Sequence, residues 1–594
     1  MKNKKSNTIL IIQGVLFIIL IIGAAYAYLG TFNINLNNNV AVNINSTSPG
    51  NLSFIANSTQ LNLQVPDNSM TKYNANNNVA VKEDTGFVDI TLTGAEGFLT
   101  TCSYDLVYEY NTNSDIYGIT VPVTTGATKE ITIEVNGMNG NNHFATETNF
   151  NFDTSKGWSN ATSSTGAKVT LVTGATLKSL GIEQSVRWKV TGRYYNLDLN
   201  QYALSGKSFT GKIYVENVNC STEDGTTVKK GYETILANNG GKTAIEAKTA
   251  DFTTVETNNA GMYSYTEGTG KTYYYRGAVD NNWVKYGKFK ADQIVYRGFY
   301  DENTNSNDFL DMSQRKVNYL DYSTLAECQA GVSTSGSIYY PSTYNFNCKE
   351  VTYAHKGDDM YWRIIRVDKD NKIKMIYAGS KAPSENTKVA ITGANTNMGF
   401  TAYNNAYNKA EYVGFQYTEG SQRGTTTNST IKTYLDNWYT KYFNENISTS
   451  RFSQTTFCND RNTSSTWAST GSTITYAAYD RLSSSTPTLT FECNTADVVT
   501  NNFGLITADE IVLAGGKYNT NNSAFYLNNN MAYLAGSPGR FSDSYSYVFG
   551  LHPFSGLING GVYSRFFAAR GVVSLSSNAK LLGSGTYNDV YTVN

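Results

Sequence analysis

Residues 86–93 read Gly-Phe-Val-Asp-Ile-Thr-Leu-Thr, and they alternate apolar with polar side chains in the pattern of a half-buried β-strand. Similar runs recur through the N-terminal part of the chain, separated by turns rich in Gly, Asn and Thr. They occupy residues 32–44, 103–110, 130–135, 167–172, 185–190 and 211–218. Short strands separated by turns are typical of a β-sandwich, so we predict one over residues 30–220.

The composition of the whole chain also favours sheet. Its 594 residues include 45 Tyr and 50 Gly, and only 16% are charged, with a formal net charge of -1. Aromatic residues favour strands, and Gly and Asn favour turns. The small charge excludes the basic field with which nucleic-acid-binding proteins neutralise phosphates, so nucleic acid is not an expected partner.

The first 29 residues have the pattern of an export signal. Lysines within residues 2–5 precede an apolar run over residues 9–22, and Ala25-Tyr-Ala27 follows it. A basic start, an apolar centre and small residues at the end are typical of a secretory signal. If cleavage does not occur, residues 9–29 are long enough to cross a hydrocarbon core of about 30 Å as a single membrane anchor. Either alternative places the remainder at the cell surface or in the medium.

The six cysteines are even in number and contain no Cys-x-x-Cys pair, which argues against a zinc ribbon or a thioredoxin-like site. Three disulfides are the economical interpretation for an exported chain. The pairs that stay within one proposed region are Cys102 with Cys220, Cys328 with Cys348, and Cys458 with Cys493. Six cysteines allow 15 pairings, so the sequence leaves the connectivity open, and six buried free thiols are the alternative.

The rest of the chain combines strands with helices. Residues 221–267 change in character and predict a linker that contains a short helix at 232–237. Further strands are expected at 271–276, 283–286, 361–367 and 373–377, the last two as a hairpin. Helical spacing predicts a helix over 431–442, and the capping box Thr507-Ala-Asp-Glu510 predicts another. The expected fold class is therefore mainly β with a few helices.

Four segments of this second part together resemble the pattern of a known protein family. They read Tyr273-Tyr-Tyr-Arg-Gly-Ala-Val-Asp-Asn-Asn-Trp283, Tyr361-Trp-Arg-Ile-Ile-Arg366, Gly504-Leu-Ile-Thr-Ala-Asp-Glu510 and Ala569-Arg-Gly-Val-Val-Ser-Leu575. The set resembles surface proteins of gut-dwelling Firmicutes, whose C-terminal domain looks like a C-type lectin fold of the formylglycine-generating-enzyme branch. The family's Trp-x-x-Ser-Pro turn and Gly-Val-Arg-Pro segment are substituted here, as Tyr533-Leu-Ala-Gly-Ser-Pro538 and Arg570-Gly-Val-Val573. The resemblance implies a C-type-lectin-like domain over residues 268–594, with an insertion at about 288–358.

The N-terminal region, with its hydrophobic segment ending at Ala-Tyr-Ala and its Asn- and Thr-rich strands, is similar to the camelysin and TasA group of exported β-sandwich proteins. This resemblance covers residues 1–220. It implies an Ig-like or TasA-like sandwich.

No catalytic site or cofactor is predicted. His143, His355 and His552 are far apart in the sequence, and the GxSxG, HExxH and P-loop motifs are absent from it. The resembled enzymes act through cysteines in the C-terminal part of their domain, but neither Cys458 nor Cys493 lies where that family places its active pair. We therefore expect no enzyme activity.

One segment rich in Asp and Asn matches a calcium-binding loop only in part. Residues 301–308, Asp-Glu-Asn-Thr-Asn-Ser-Asn-Asp, place oxygen ligands at alternate positions. Ser306 replaces the turn glycine of an EF-hand, however, and Met312 replaces its bidentate glutamate. The calcium motifs of sugar-binding lectins are also missing from the sequence, so we predict a solvated Asn-rich loop and no metal site.

The segment 533–570 has the composition of a binding surface, with aromatic residues, arginine and small residues together. In the resembled fold this region faces the ligand. We predict a ligand-binding site formed by Arg540, Phe541, Tyr545, His552, Phe554, Tyr563, Arg565 and Phe566. The alternative is that Tyr547, Phe549, Val562 and half of the other residues fill the core of an aromatic-rich sheet.

These features predict a bacterial surface-displayed binding or adhesion protein. A β-sandwich stalk would carry a lectin-like head that meets a protein or glycan of a host or a neighbouring cell. The alternative is a structural subunit of biofilm-matrix fibres, as the similarity to TasA implies.

Overall fold

A computed structural model gives the architecture of the chain over most of residues 52–593 and two short earlier strands. The described residues are 32–36, 42–45, 52–64, 80–94, 97–110, 131–137, 145–150, 168–181, 183–195, 206–225, 228–268, 270–301, 320–329, 345–444, 455–458, 460–491, 493, 497–542 and 544–593. The predicted signal or anchor lies outside them. The helices within these ranges are all too short or too polar to span a bilayer.

The chain divides into two compact units between Val228 and Lys229. Unit 1 is residues 1–228, and unit 2 is residues 229–593. As the sequence predicts, the described chain is mainly β with a few helices.

Unit 1 contains eleven strands in its described part. They are β1 (Phe32–Leu36), β2 (Val42–Asn45), β3 (Leu52–Ala56), β4 (Thr59–Gln64), β5 (Ala80–Thr93), β6 (Phe98–Tyr110), β7 (Ile131–Gly137), β8 (Ala145–Phe150), β9 (Lys168–Ser179), β10 (Gln184–Tyr195) and β11 (Ser208–Asp224). Each alternating run predicted for this region coincides with one or two of these strands.

These strands form two sheets on one core. The first has the order β1-β3-β5-β10-β7-β8, and the second has the order β2-β11-β6-β9 with β4 also paired to β11. Trp188 of the first sheet and Tyr104 of the second are both buried in the shared core. The Trp188 indole donates a buried hydrogen bond to the Tyr104 hydroxyl at 3.0 Å. Two sheets on a shared core fit the predicted β-sandwich.

Unit 2 adds six helices in its described part. They are α1 (Gly231–Asn238), α2 (Gly241–Glu246), α3 (Leu325–Gln329), α4 (Thr430–Tyr442), α5 (Ala477–Ser483) and α6 (Ala508–Leu513). Its strands are β12 (Gly261–Glu267), β13 (Gly270–Arg276), β14 (Trp283–Phe289), β15 (Gln293–Asp301), β16 (Leu320–Tyr322), β17 (Asn345–Ala354), β18 (Asp359–Val367), β19 (Ile373–Gly379), β20 (Gly399–Phe400), β21 (Gln416–Tyr417), β22 (Thr427–Asn428), β23 (Phe443–Asn444), β24 (Thr455–Cys458), β25 (Ile474–Thr475), β26 (Val498–Asn501), β27 (Tyr533–Ser542), β28 (Tyr545–His552), β29 (Gly556–Gly561), β30 (Ala568–Ala569), β31 (Val572–Leu575), β32 (Leu581–Leu582) and β33 (Tyr591–Val593).

Two large sheets organise unit 2. The nine-stranded sheet contains the path β12-β13-β18-β14-β33-β32, to which β19, β23 and β31 are added. The six-stranded sheet runs β20-β30-β27-β28-β29, with β25 paired to β27. A separate three-stranded sheet, β16-β15-β17, lies within the residues predicted as an insertion, and β21-β22 and β24-β26 form two small pairs.

The two helices predicted most specifically in unit 2 are both present. Helix α4 begins after Ser429, whose hydroxyl accepts a hydrogen bond from the Lys432 backbone amide, and it buries an apolar face that includes Leu435 and Trp438. Helix α6 has the predicted capping box. The Thr507 hydroxyl accepts from the Glu510 amide at 3.1 Å, and the Glu510 carboxylate accepts from the Thr507 amide at 2.9 Å.

All three predicted disulfides are present. They are Cys102–Cys220 between β6 and β11, Cys328–Cys348 between α3 and β17, and Cys458–Cys493. The chain therefore has no free thiol.

The stretch predicted as a linker is placed differently by the structure. Helix α1 confirms the short helix, but Ile235, Leu236 and Ile245 of α1 and α2 are buried in the core of unit 2. The second unit therefore begins at Lys229 rather than at residue 268. Two short helices that bury few apolar residues give little sign in the sequence that they belong to a larger core.

Candidate ligand-recognition surface

Two of the predicted ligand-binding residues, Arg540 and Phe541, lie on opposite faces of strand β27. Arg540 is exposed and lies opposite Tyr547 of β28, and its guanidinium lies 5.0 Å from the centre of that ring. Phe541 is fully buried and lies opposite Ser546, which is also buried. Because side chains alternate along a strand, Phe541 points away from the face that carries Arg540. Phe541 is therefore a core residue and is not part of the candidate site.

Three tyrosine rings come together at the surface, and we call Tyr407, Tyr545 and Tyr563 the tyrosine cluster. Tyr407 and Tyr545 are stacked, with centroids 5.3 Å apart and planes 9° apart. The Tyr563 centroid lies 5.0 Å from that of Tyr407 and 5.8 Å from that of Tyr545. Tyr407 is 40% exposed and Tyr545 is 41% exposed, so the cluster presents aromatic surface to solvent.

The backbone beneath the tyrosine cluster is held by hydrogen bonds. The Ser546 amide donates to the Tyr407 carbonyl at 2.8 Å, and the Val562 amide donates to the Ser546 carbonyl at 2.9 Å. The Asn404 amide donates to the Val562 carbonyl at 2.8 Å, and the Ser546 hydroxyl donates to the Lys409 carbonyl. The Tyr407 backbone is therefore bonded directly to the β28 segment, and Tyr545 and Tyr563 are each adjacent to a residue, Ser546 or Val562, that bonds to the other two segments.

A second aromatic group consists of His552, Phe554 and Phe566, which we call the histidine cluster. The His552 ring stacks on Phe566 with centroids 6.0 Å apart, and it meets Phe554 edge-on at 5.9 Å. Phe554 is 51% exposed. The Phe554 amide donates to Nδ1 of His552 at 3.3 Å, and partial burial lowers the pKa of the imidazole. The neutral ring with Nδ1 as acceptor is the form that fits this contact.

Arg565 lines a polar cleft of about 430 Å³. One wall comes from β16 and α3, and the other comes from residues 400–405 and the first two turns of α4. The lining consists mostly of hydroxyl, amide and charged groups. A cleft of this size lies within the range of small-molecule sites, which is roughly 300–1,000 Å³.

The two acidic side chains of the cleft differ in how they are neutralised. Asp321 accepts two hydrogen bonds from Arg297, at 2.6 and 2.7 Å, and a third from the Tyr353 hydroxyl. Glu327 has no side-chain hydrogen bond or ion pair to any residue that the structure describes. Arg565 likewise has neither within the described part of the chain. Within the described residues, the cleft thus contains one carboxylate and one guanidinium that have no partner.

The turn at residues 563–566 connects all three features. Tyr563 belongs to the tyrosine cluster, Arg565 lines the cleft, and Phe566 belongs to the histidine cluster. The structure therefore brings six of the eight predicted residues to one continuous region, while Arg540 stacks on the neighbouring Tyr547 and Phe541 is buried. Of the residues that the alternative interpretation assigns to the core, Phe549 and Val562 are fully buried and Tyr547 is half-buried.

The sequence prediction missed Tyr407 and both walls of the cleft, since Arg565 is the one residue of the cleft lining that it names. Residues 403–408 read Tyr-Asn-Asn-Ala-Tyr-Asn, a composition that is also typical of binding surfaces and that indicates this segment as part of the site. His143 and all of the calcium-loop candidate except Asp301 lie outside the described residues. Within the described residues, no group of three or more His, Cys, Asp or Glu side chains could hold a metal ion.

A comparison with protein-family models finds no family that matches the chain, and a comparison with curated proteins finds no match.

Proposed function

We propose that this chain is a non-enzymatic bacterial surface protein that recognises an extracellular ligand through the surface around residues 563–566. The observation that carries the proposal is the tyrosine cluster. Its three rings contact one another, and Tyr407 and Tyr545 each keep about two-fifths of their surface exposed. Aromatic residues on a fixed backbone bind partners with little loss of conformational entropy.

In this proposal unit 1 is a stalk and unit 2 is a C-type-lectin-like head. Export through residues 9–29, as a cleaved signal or a membrane anchor, is supported by the three disulfides, because such bonds persist outside the reducing cytoplasm. The ligand is a protein or glycan of a host or neighbouring cell. The resemblance to Firmicutes surface proteins is part of the same proposal.

The test is binding of the full chain to a glycan array and to extracellular proteins, compared with the double variant Tyr407→Ala/Tyr545→Ala. Loss of a central aromatic pair is expected to lower affinity at least ten-fold, since such residues contribute about 2 kcal/mol or more at binding hot spots. Phe87→Ala is the matched control, because Phe87 is 40% exposed but lies in unit 1. Unchanged binding by the double variant, with an intact fold, would contradict the proposal.

A fibre-forming role is the second candidate, and the edges of the unit 1 sheets favour it. Among the described strands, β1 ends one sheet and pairs in parallel with β3, while β2 ends the other and pairs in parallel with β11. Edge strands present unpaired backbone groups that can pair with a strand of another copy. Electron microscopy across a concentration series tests this role, and monodisperse particles at every concentration would exclude it.

A further inference from the structure

We propose that the cleft and the tyrosine cluster form one elongated site for an oligosaccharide that carries a carboxylate. This inference rests on the proposed function and names the ligand class of the same surface. It is carried by the chemistry of the groups that the fold leaves unsatisfied in the cleft.

The first observation concerns Arg565. Most other described arginines of unit 2 bind carboxylates or backbone carbonyls, as Arg297 binds Asp321 and Arg570 binds the Tyr377 carbonyl at 2.7 Å, and the exposed Arg540 lies over the Tyr547 ring. Arg565 has no hydrogen-bond or ion-pair partner among the described residues, although it lines a cleft. A guanidinium presents a planar fork of donors that matches a carboxylate. The cleft therefore offers a ready site for one carboxylate.

The second observation concerns neutral polar groups. The side-chain amides of Asn405 and Asn437 line the cleft, and neither forms a hydrogen bond within the part of the chain that the structure describes. Each amide can both donate and accept, as a sugar hydroxyl does. The carboxylate of Glu327 also lines the cleft and can accept hydrogen bonds from sugar hydroxyls. The same carboxylate disfavours polyanions, because a ligand with several negative charges would meet it without compensation.

The third observation is the position of the tyrosine cluster beside the cleft. Tyr407 follows Asn405 by two residues, and Tyr563 precedes Arg565 by two. Two residues span at most about 7 Å, so the backbone of the tyrosine cluster lies within that distance of the backbone of a cleft residue at two points. A flat aromatic surface suits the apolar face of a sugar ring. An extended chain of sugars can therefore reach the cluster while its carboxylate meets Arg565.

The Cys328–Cys348 bond gives the Glu327 wall its position. Helix α3 has only five residues, too few to be stable alone, and Cys328 attaches it to β17. Glu327 precedes the bonded cysteine directly, so its backbone is held at the cleft.

The test uses sialylated and glucuronic-acid-containing oligosaccharides, each beside its methyl ester and a neutral analogue, with the full chain in mild detergent. The wild-type chain is expected to bind the free acid roughly ten-fold or more tightly than the ester, because charge-assisted hydrogen bonds are lost on esterification. Arg565→Gln should bind both forms equally, at the affinity of the ester. Arg540→Gln changes an exposed arginine that lies over Tyr547 and does not line the cleft, so it should keep the preference and serves as the control.

Tyr545→Ala separates the two parts of the site. It is expected to weaken binding of acid and ester by the same factor and to leave their ratio unchanged. Equal binding of acid, ester and neutral sugar by the wild-type chain would overturn the inference, as would an acid preference that survives Arg565→Gln. If only protein ligands bind and Tyr407→Ala/Tyr545→Ala abolishes that binding, the inference fails while the proposed function stands.

Discussion

Residues 563–566 and residues 568–575 are neighbours in the chain, but their side chains occupy opposite environments. In the first segment Arg565 is partly exposed in a cleft and has no partner among the described residues. In the second, Arg570 is 2% exposed and donates to the carbonyls of Tyr377 at 2.7 Å and Leu527 at 2.8 Å. Burial lowers the pKa of Arg570, yet these acceptors and the Tyr533 ring surround it.

The difference shows that residue type does not decide whether a polar group serves the fold or a ligand. Arg570 lies between strands β30 and β31, where the Tyr377 carbonyl of β19 and the Leu527 carbonyl accept its hydrogen bonds. Arg565 lies in a turn after β29, where the backbone supplies none in the described structure. The same contrast holds for two other pairs. Phe541 and Glu510 are buried and serve the fold, whereas Phe554 is exposed and Glu327 lines the cleft.

The largest expected effect distinguishes the two phenylalanines. Phe541→Ala should lower the free energy of unfolding by about 4 kcal/mol, because it removes a fully buried ring and leaves a cavity. Phe554→Ala is its matched control and should change stability by about 0.5 kcal/mol or less, since Phe554 is 51% exposed. Urea denaturation of both variants measures the difference. Similar losses would mean that the two rings are not divided between core and surface.

Glu510 and Glu327 give the next contrast. Burial alone would raise the pKa of Glu510, but Lys374 at 2.6 Å and Arg366 at 2.7 Å outweigh it and lower the pKa to about 2. Glu510→Gln should cost about 3 kcal/mol at neutral pH, because it leaves buried cations unpaired. Glu327→Gln should cost about 0.5 kcal/mol or less.

The pH dependence of the same variants gives an independent check. The carboxylate of Glu510 has a lower pKa in the folded state than its ordinary value of 4.5, so its contribution is complete above pH 4.5 and is lost as pH falls toward 2. The wild-type chain should lose stability more steeply than Glu510→Gln across that window. Parallel acid-unfolding curves would show that the ion network does not depend on this carboxylate.

Arg570→Met against Arg565→Met tests the opening contrast directly. Arg570→Met keeps the volume but leaves two buried carbonyls without donors, and we expect a loss of about 2 kcal/mol. Arg565→Met should leave the unfolding midpoint nearly unchanged and should act on ligand binding instead. If Arg565→Met destabilised the fold as much as Arg570→Met, Arg565 would have a structural role.

The elements of the fold were largely predictable because their signals are local. Alternation at residues 86–93 predicted a strand that extends over Ala80–Thr93, and the capping box at residues 507–510 predicted helix α6. The second role of Glu510, as the partner of Lys374 and Arg366, depends on strands about 140 residues earlier and leaves no local pattern.

The candidate site was predictable only in part for the same reason. Its aromatic composition identified the right segment, and the period of two in β27 carried the signal that Phe541 faces inward. Tyr407 and Glu327 come from distant segments that the fold brings to residues 563–566. Their unpaired or exposed state is a property of the folded chain, so composition alone cannot separate them from other tyrosines and glutamates.

His552 gives the smallest expected effect and tests the histidine cluster. Partial burial lowers the pKa of the imidazole, and its Nδ1 accepts from the Phe554 amide at 3.3 Å, so the folded state favours the neutral ring. The unfolded chain therefore binds the proton more readily, and stability should decline as pH falls through about 6.5, the ordinary value for histidine. NMR titration should show a pKa below that value. His552→Gln should flatten this part of the stability profile, because its neutral side chain binds no proton between pH 7.5 and pH 5.5. An imidazole pKa above the ordinary value would mean that the cluster stabilises the charged ring, contrary to the contact with Phe554.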